Sequence, residues 1–208
     1  MVNTDLMAAL VVGSVKFRLD YGQETSGLAG GSIQVADLRS PLWRMDADCS
    51  TLTLDQLLEI ETLIDVLGGS RGSFHAWDPR RPFPKLDPAG DLLGVSAVKI
   101  NSLPSDNRSL SLKGLPAGYV LSRGDPLAFD FGGGRRALHR VASVSVAADG
   151  AGVTPAFEVV PNIRSGAATN ADVFLKRPAA EMKLVPGSFV GDAEGMLGSI
   201  PLQAVQVV

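Results

Sequence analysis

The chain has 208 residues, 45 % of them apolar and 20 % charged, and a formal net charge of −3. That is enough for one large domain or two small ones, and the absence of a basic tract argues against a protein that wraps the nucleic-acid backbone. The single cysteine, Cys49, excludes an intrachain disulfide and a Cys-based zinc site. The histidines, His75 and His139, stand 64 positions apart, without the spacing of a helical metal pair. No run of 18 apolar residues is present, so no membrane-spanning helix is expected. The apolar patch Leu6–Val12 follows Asp5 and no Lys or Arg, and reads as mature protein rather than a signal peptide.

Glycine and proline, 23 and 13 residues, break the chain too often for many long helices. Short strands joined by turns fit that spacing, so the predicted class is mainly β. Residues 15–21 alternate Val15, Phe17, Leu19 and Tyr21 with Lys16, Arg18 and Asp20, the period of a half-buried strand. A glycine-rich loop over 22–31 is expected next. Alternation returns at Ser32–Leu38 through Ile33 and Val35, and Leu42–Ala47 forms another strand with Trp43 and Met45 on one face.

One principal α-helix is signalled over 53–67. Thr53 is its N-cap, with Gln56 completing a capping box and Leu52 and Leu57 at the staple positions. Leu57, Ile60, Ile64 and Leu67 share one face, and Gly68 ends the helix. The exposed side is expected to carry Asp55, Glu59, Glu61 and Asp65. A short strand follows, with Phe74 and Ala76 on one side and His75 and Trp77 on the other. Asp78-Pro79 then starts a turn. Prolines 79, 82, 84 and 88 forbid regular structure, and a domain junction is placed near residues 84–92.

From Val95 the text is that of a small all-β domain. The expected strands are Val95–Leu103, Ser109–Leu112, Asp125–Phe131, a long Ala137–Ala147, Phe157–Val160 and Val173–Leu175. Leu138, Val144 and Val146 are assigned to its core, and Gly132–Gly134 to a hairpin turn. Closing so many short strands into a barrel removes their edges. The apolar end, near Gln203–Val208, reads as a strand that rejoins the first domain. The expected organisation is a core domain over 1–87, an inserted barrel over 88–178, and strands over 179–208 that complete the core.

Little in the chain points to a reaction. Neither Gly27–Gly31 nor Gly132–Arg136 matches a phosphate loop, no Gly-x-Ser-x-Gly elbow is present, and Cys49 reads as a buried or half-buried thiol rather than a nucleophile. Asp78 is expected to accept backbone hydrogen bonds and His139 to be a wall residue between the barrel and its neighbour. Arg80-Arg81 and Arg135-Arg136 are the densest positive charge, facing a partner protein more readily than a polyanion. No catalytic, cofactor-binding or metal-binding residue is assigned.

Four segments in order resemble the distal tail or baseplate-hub proteins of long-tailed bacteriophages and phage-derived gene transfer particles. The first is Trp43–Ala47, the helix, and Gly68-Gly-Ser-Arg-Gly-Ser-Phe-His-Ala-Trp-Asp-Pro79, containing Phe74, Trp77, Asp78 and Pro79. The second is Leu112–Asp125, containing Gly114, Pro116, Gly118 and Asp125. The third is Arg136-Ala-Leu-His-Arg-Val141, with His139, followed by Ala147-Ala-Asp-Gly150. The fourth is Pro155–Ile163 leading to Leu175–Met182.

The resemblance implies a tail-tube-like β-sandwich with an inserted OB-like β-barrel, and a structural role for the residues just named. It also implies a homo-hexameric ring at the distal end of the tail of the virion, assembled in the bacterial host cytoplasm. Its partners would be the tail tube protein and the hub and tail-fibre proteins, with transient passage of DNA and the tape-measure protein and no membrane insertion. The loops 22–31 and 187–198 would then order on assembly. Two other readings stay open on the residues alone: a β-barrel binding module for single-stranded nucleic acid or glycan, and a small hydrolase.

Overall fold

The computed structural model describes residues 2–3, 5–27 and 30–207. The Gly27–Gly31 stretch and the final residue of the predicted C-terminal strand therefore lie partly outside the described residues. The chain is mainly β and forms two compact units. The first comprises residues 1–74 and 182–206, and the second residues 75–181 with the last two residues. The second unit begins at His75 rather than at residue 88. The proline-rich segment is tied into it: the Lys85 N–H donates to Asp125 at 2.8 Å, the Tyr119 hydroxyl to Asp87 at 3.2 Å, and the Arg177 N–H to the Pro82 carbonyl at 2.7 Å.

In chain order the first unit opens with β1 (Val2–Asn3), a single turn α1 (Leu6–Ala9) and β2 (Ser14–Asp20). It continues through β3 (Gln23–Gly27), β4 (Ile33–Asp37), β5 (Leu42–Thr53) and α2 (Leu54–Leu67) to the start of β6 (Ser73–Trp77), within which the second unit begins. The second unit holds β7 (Lys99–Ser102), β8 (Ser109–Lys113), β9 (Val120–Ser122), β10 (Pro126–Phe131), β11 (Arg135–Val141), β12 (Ser145–Ala147), β13 (Phe157–Val160) and β14 (Val173–Phe174). The chain returns through β15 (Ala179–Leu184) to β16 (Asp192–Glu194) and β17 (Leu197–Gln206). No described helix is long and apolar enough to cross a membrane.

The main sheet runs β1-β6-β15-β17-β5-β2, with β16 on β17. Strand β5 buries Trp43, Met45, Ala47 and Cys49 in strict alternation. A β-bulge then sets Ser50 and Thr51 against Ser199, with Thr51 at φ 60°. The extra residue resets the alternation, so Leu52 is buried too.

Strand β17 is central to this sheet although it contains Pro201. Gln203 donates its N–H to the Ser188 hydroxyl at 3.1 Å, on the side away from β5. Pro201, two residues earlier, turns its nitrogen to the same side, in the gap between β16 and β15. Its missing N–H therefore removes no ladder bond. The C-terminal strand thus begins at Leu197, well before residue 203, and part of the predicted 187–198 loop is strand β16 and the start of β17.

Helix α2 lies on β5 and β17. The Thr53 hydroxyl accepts the Gln56 N–H at 3.3 Å, and the Gln56 side chain accepts the Thr53 N–H at 2.9 Å. Gly68 takes the left-handed conformation and donates to the Asp65 carbonyl at 2.9 Å. Leu57, Ile60, Ile64 and Leu67 are all buried. Leu57 seats tightly because Gly198 has no side chain: a Cβ there would stand 2.8 Å from Leu57. The outer face is less polar than predicted, since Leu54, Leu58 and Val66 are exposed beside the carboxylates and Glu61 is only half-exposed.

Strands β3 and β4 form a separate two-stranded ribbon. They continue the β2–β5 hairpin past a bend, so residues 23–27 are strand rather than loop. Asp20 pins the bend: it accepts the Gly22 N–H at 3.0 Å and faces Arg39 at 2.6 Å and Arg44 at 2.8 Å. The Gly22 N–H, with the two guanidiniums, holds its carboxyl below the ordinary range. Every residue of the ribbon is exposed, so Ile33 and Val35 alternate without a buried face in the single chain.

In the second unit, six strands run β14-β10-β11-β13-β8-β7 and curl into a nearly closed barrel. The ends meet where Lys99 bridges Asp172 and the Val173 N–H donates to the Val98 carbonyl at 2.8 Å. Ile100, Leu110, Leu112, Leu121, Leu127 and Phe129 are fully buried in its core. The predicted long strand 137–147 is broken. After Val141 the chain leaves β13, and from Ser145 it pairs with β9 instead. At this crossover Val144 is 70 % exposed and not a core residue, whereas Val146 is buried in the barrel core; Leu138 is buried too, but on the opposite face of β11 from the core residues Ala137 and Val141. The first barrel strand is also shorter than Val95–Leu103, with Val95 fully exposed.

Candidate functional site

The second unit contains a cleft of about 360 Å³ lined by Asp78, Arg80, Arg81, Gly124, Pro126, Leu138, Arg140 and Pro178. Its first wall is the turn that follows β6. The Arg81 N–H donates to the Asp78 carbonyl at 3.1 Å, and the Arg80 N–H donates to the Asp78 carboxylate at 3.1 Å. This is the Asx-turn that an Asp-Pro pair favours. The second wall is β11, where Leu138 and Arg140 flank His139.

Asp78 gathers two guanidiniums. Arg80 grips it through Nε at 2.9 Å and Nη2 at 2.8 Å, and Arg140 Nη2 donates to it at 3.1 Å. The Asp78 hydrogen bond raises the Arg80 pKa further. Burial lowers that of Arg140; Asp78 opposes this, while repulsion from Arg80 and Arg81 adds to it. Asp125, fully buried, accepts the Lys85 N–H at 2.8 Å and the Ser122 N–H at 2.7 Å. Arg81 approaches Asp125 only to 3.5 Å. Three cations thus share two carboxylates, and the Asp125 oxygens are already engaged by backbone. The cleft is suited to holding an oxyanion between guanidiniums over an apolar floor.

Apart from His139, the predicted site residues fall into three groups. Asp78 and Asp125, with Pro79 in the turn between Asp78 and Arg80, come together at the cleft. Trp77 precedes it, half-buried, with the Arg177 guanidinium 5.5 Å over its ring. Trp43 lies in the main sheet, its ring 5.6 Å from that of Phe17 and its backbone N–H donating to the Gln206 side-chain oxygen, while Phe74 is buried on β6 and the four helix residues form the α2 core face. Gly114, Pro116 and Gly118 shape the β8–β9 turn: a Cβ on Gly114 would stand 2.4 Å from the Ala97 carbonyl, and Pro116 accepts the Tyr119 N–H at 3.1 Å.

His139 is a barrel-interior residue, not one in a wall facing a neighbour: it shares the inward face of β11 with Ala137 and Val141. Its ring stacks on Phe129 at 4.9 Å, and Nδ1 bonds the Pro161 carbonyl at 2.8 Å, which selects the Nδ1–H tautomer. Nε2 is buried with no partner among the described residues, and burial lowers the pKa to about 4. Cys49 is buried, and burial pushes its thiol up to about 11.

Sequence reasoning passed over Asp87 and Arg140. Asp87 accepts the Leu92 and Leu93 N–H groups and the Tyr119 hydroxyl. Burial raises its pKa, but these bonds outweigh burial and the net shift is downward. Arg140 was legible only as a strand residue. Of the two arginine pairs, Arg135-Arg136 is engaged locally: Arg136 pairs with Asp130 at 2.7 Å and lies 4.0 Å over Phe174, and Arg135 donates to the Gly132 carbonyl. Arg80-Arg81 lines the cleft. Among the described residues no group of His, Cys, Asp and Glu is placed to hold a metal ion. Neither a protein-family model nor a curated protein matches this chain.

Proposed function

We propose that the chain is a structural subunit that assembles into a ring, as a distal tail or baseplate-hub component of a phage-like particle. In this reading the first unit is the tail-tube-like β-sandwich of the ring and the second an OB-like module directed to hub or fibre proteins. The ring joins the tail tube to those proteins and surrounds the channel for DNA.

One observation carries the reading: the β3–β4 ribbon. An isolated two-stranded ribbon is marginal in water. This one exposes all ten of its residues, with Ile33 70 % and Val35 55 % accessible. Its open edges and apolar side chains match a neighbouring subunit that adds its own sheet. The lack of a marked catalytic set in the sequence and the four ordered family-like segments support the same reading.

The test is the mass of the purified chain in solution, with an image of any assembly. Six copies of 21.7 kDa give a ring of about 130 kDa. Replacing Ile33 and Val35 together with Lys should leave the monomer folded and reduce the ring to monomers. A wild-type monomer that binds an oligonucleotide or glycan tightly would replace this reading with the binding-module one.

A further inference from the structure

We propose that the Arg80–Arg81–Arg140 cleft receives the acidic outer face of helix α2 from a second copy of the chain, so that subunits join head to tail. The inference rests on the ring reading and names a contact within it. Its basis is the chemistry of two surfaces that lie in different units of the chain.

The cleft has an excess of positive charge. Asp78 meets Arg80 and Arg140, while Asp125 is committed to the Lys85 and Ser122 amides. Arg81, 40 % exposed, reaches Asp125 only at 3.5 Å. The guanidiniums repel one another at Arg140, and an added carboxylate relieves that repulsion. Pro126, Leu138 and Pro178 supply apolar wall between the charges.

Helix α2 offers the complement. It carries Asp55, Glu59, Glu61 and Asp65 and no Lys or Arg over Leu54–Leu67. Asp55, Glu59, Thr62 and Val66 follow a spacing of four, three and four, which lines them along one stripe opposite the buried face. Leu58 and Val66, 59 % and 74 % exposed, stand beside these carboxylates. A carboxylate flanked by aliphatic groups matches guanidiniums set in an apolar wall. A nucleic-acid backbone matches less well, because it wants an extended cationic track with stacking aromatics. Since the two surfaces differ, each contact leaves one of each kind free, and association propagates until it closes.

The experiment uses two charge-reversed full-length chains, Arg80→Glu/Arg81→Glu and Asp55→Lys/Glu59→Lys, with folding checked by circular dichroism. Self-association is read by sedimentation at about 0.05 and 0.5 M salt, between which screening shortens several-fold. Each variant alone should associate at least tenfold more weakly than the wild type, since like charges then face each other. An equimolar mixture should restore association, because every contact in an alternating assembly is again complementary. If the first variant does not fold, Arg81→Gln replaces it and should still weaken association.

Unchanged rings from either variant, or no rescue in the mixture, would overturn this contact while leaving the ring reading intact. Open chains that need both surfaces and never close would keep the contact and overturn the ring. An oligonucleotide captured through Arg81, with self-association unaffected, would assign the cleft to phosphate and overturn the inference.

Discussion

Burial at His139 couples a single proton to the barrel. The folded-state pKa is about 4, below the ordinary value of 6.5. As pH falls, the unfolded chain therefore takes up the proton first. The stability contributed by neutral His139 is present above about pH 6.5 and is lost as pH falls toward 4. A shift of this size corresponds to roughly 3 kcal/mol. Urea melts between pH 7.5 and 4 should show that loss, and His139→Phe, which keeps the stack on Phe129, should flatten this part of the profile. An identical slope in the variant would assign the acid sensitivity to other groups. Asp20 and Asp87, whose carboxyls are held below the ordinary range, act in the same direction at lower pH.

At the scale of elements, α2 shows where local sequence is sufficient. Its cap, its buried stripe and its terminating glycine are set by residues within one turn of each other, so all were legible. Ile64→Ala should cost about 2–4 kcal/mol through the cavity it leaves, and Glu59→Ala within about 0.5 kcal/mol in the monomer; denaturant melts compare the two. Equal losses would mean that the outer face is packed. Strand ends were less legible because they depend on distant partners. The break after Val141 follows from a change of partner from β13 to β9, which the alternation of Leu138, Val144 and Val146 could not reveal. The bulge at Thr51 and the tolerance of Pro201 in a central strand likewise depend on which neighbour stands opposite. Ile33 and Val35 had the pattern of a half-buried strand, yet among the described residues nothing buries them. Of the cleft, Asp78 and the Arg80-Arg81 pair stood out in the text, but Arg140 arrives from a strand about sixty residues away and Asp125 from the turn before β10, more than forty residues away.

For the whole molecule, the division into units bears on what folds alone. Proline-rich text suggested a domain junction near residues 84–92, because proline removes backbone donors and regular structure. The donors and side chains that remain in 78–94 are nevertheless used inside the second unit. Lys85 and Arg81 serve the buried Asp125, the Asp87 carboxylate accepts the Leu92 and Leu93 amides and the Tyr119 hydroxyl, and the Gly94 carbonyl accepts Lys176 Nζ at 2.6 Å. A fragment of residues 75–181 retains all of these. A fragment of residues 88–178 lacks Arg81, Lys85 and Asp87, and leaves the fully buried Asp125 with the Ser122 amide alone. A buried carboxylate stripped of partners costs several kcal/mol. The longer fragment should therefore show a β-type circular dichroism spectrum and a cooperative melt, and the shorter one should melt at least about 5 °C lower or fail to fold. Asp125→Asn in the shorter fragment should recover part of the difference, since a neutral amide is less costly to bury. Equal melting of the two fragments would show that 78–87 is a linker after all and would move the boundary back to residue 88.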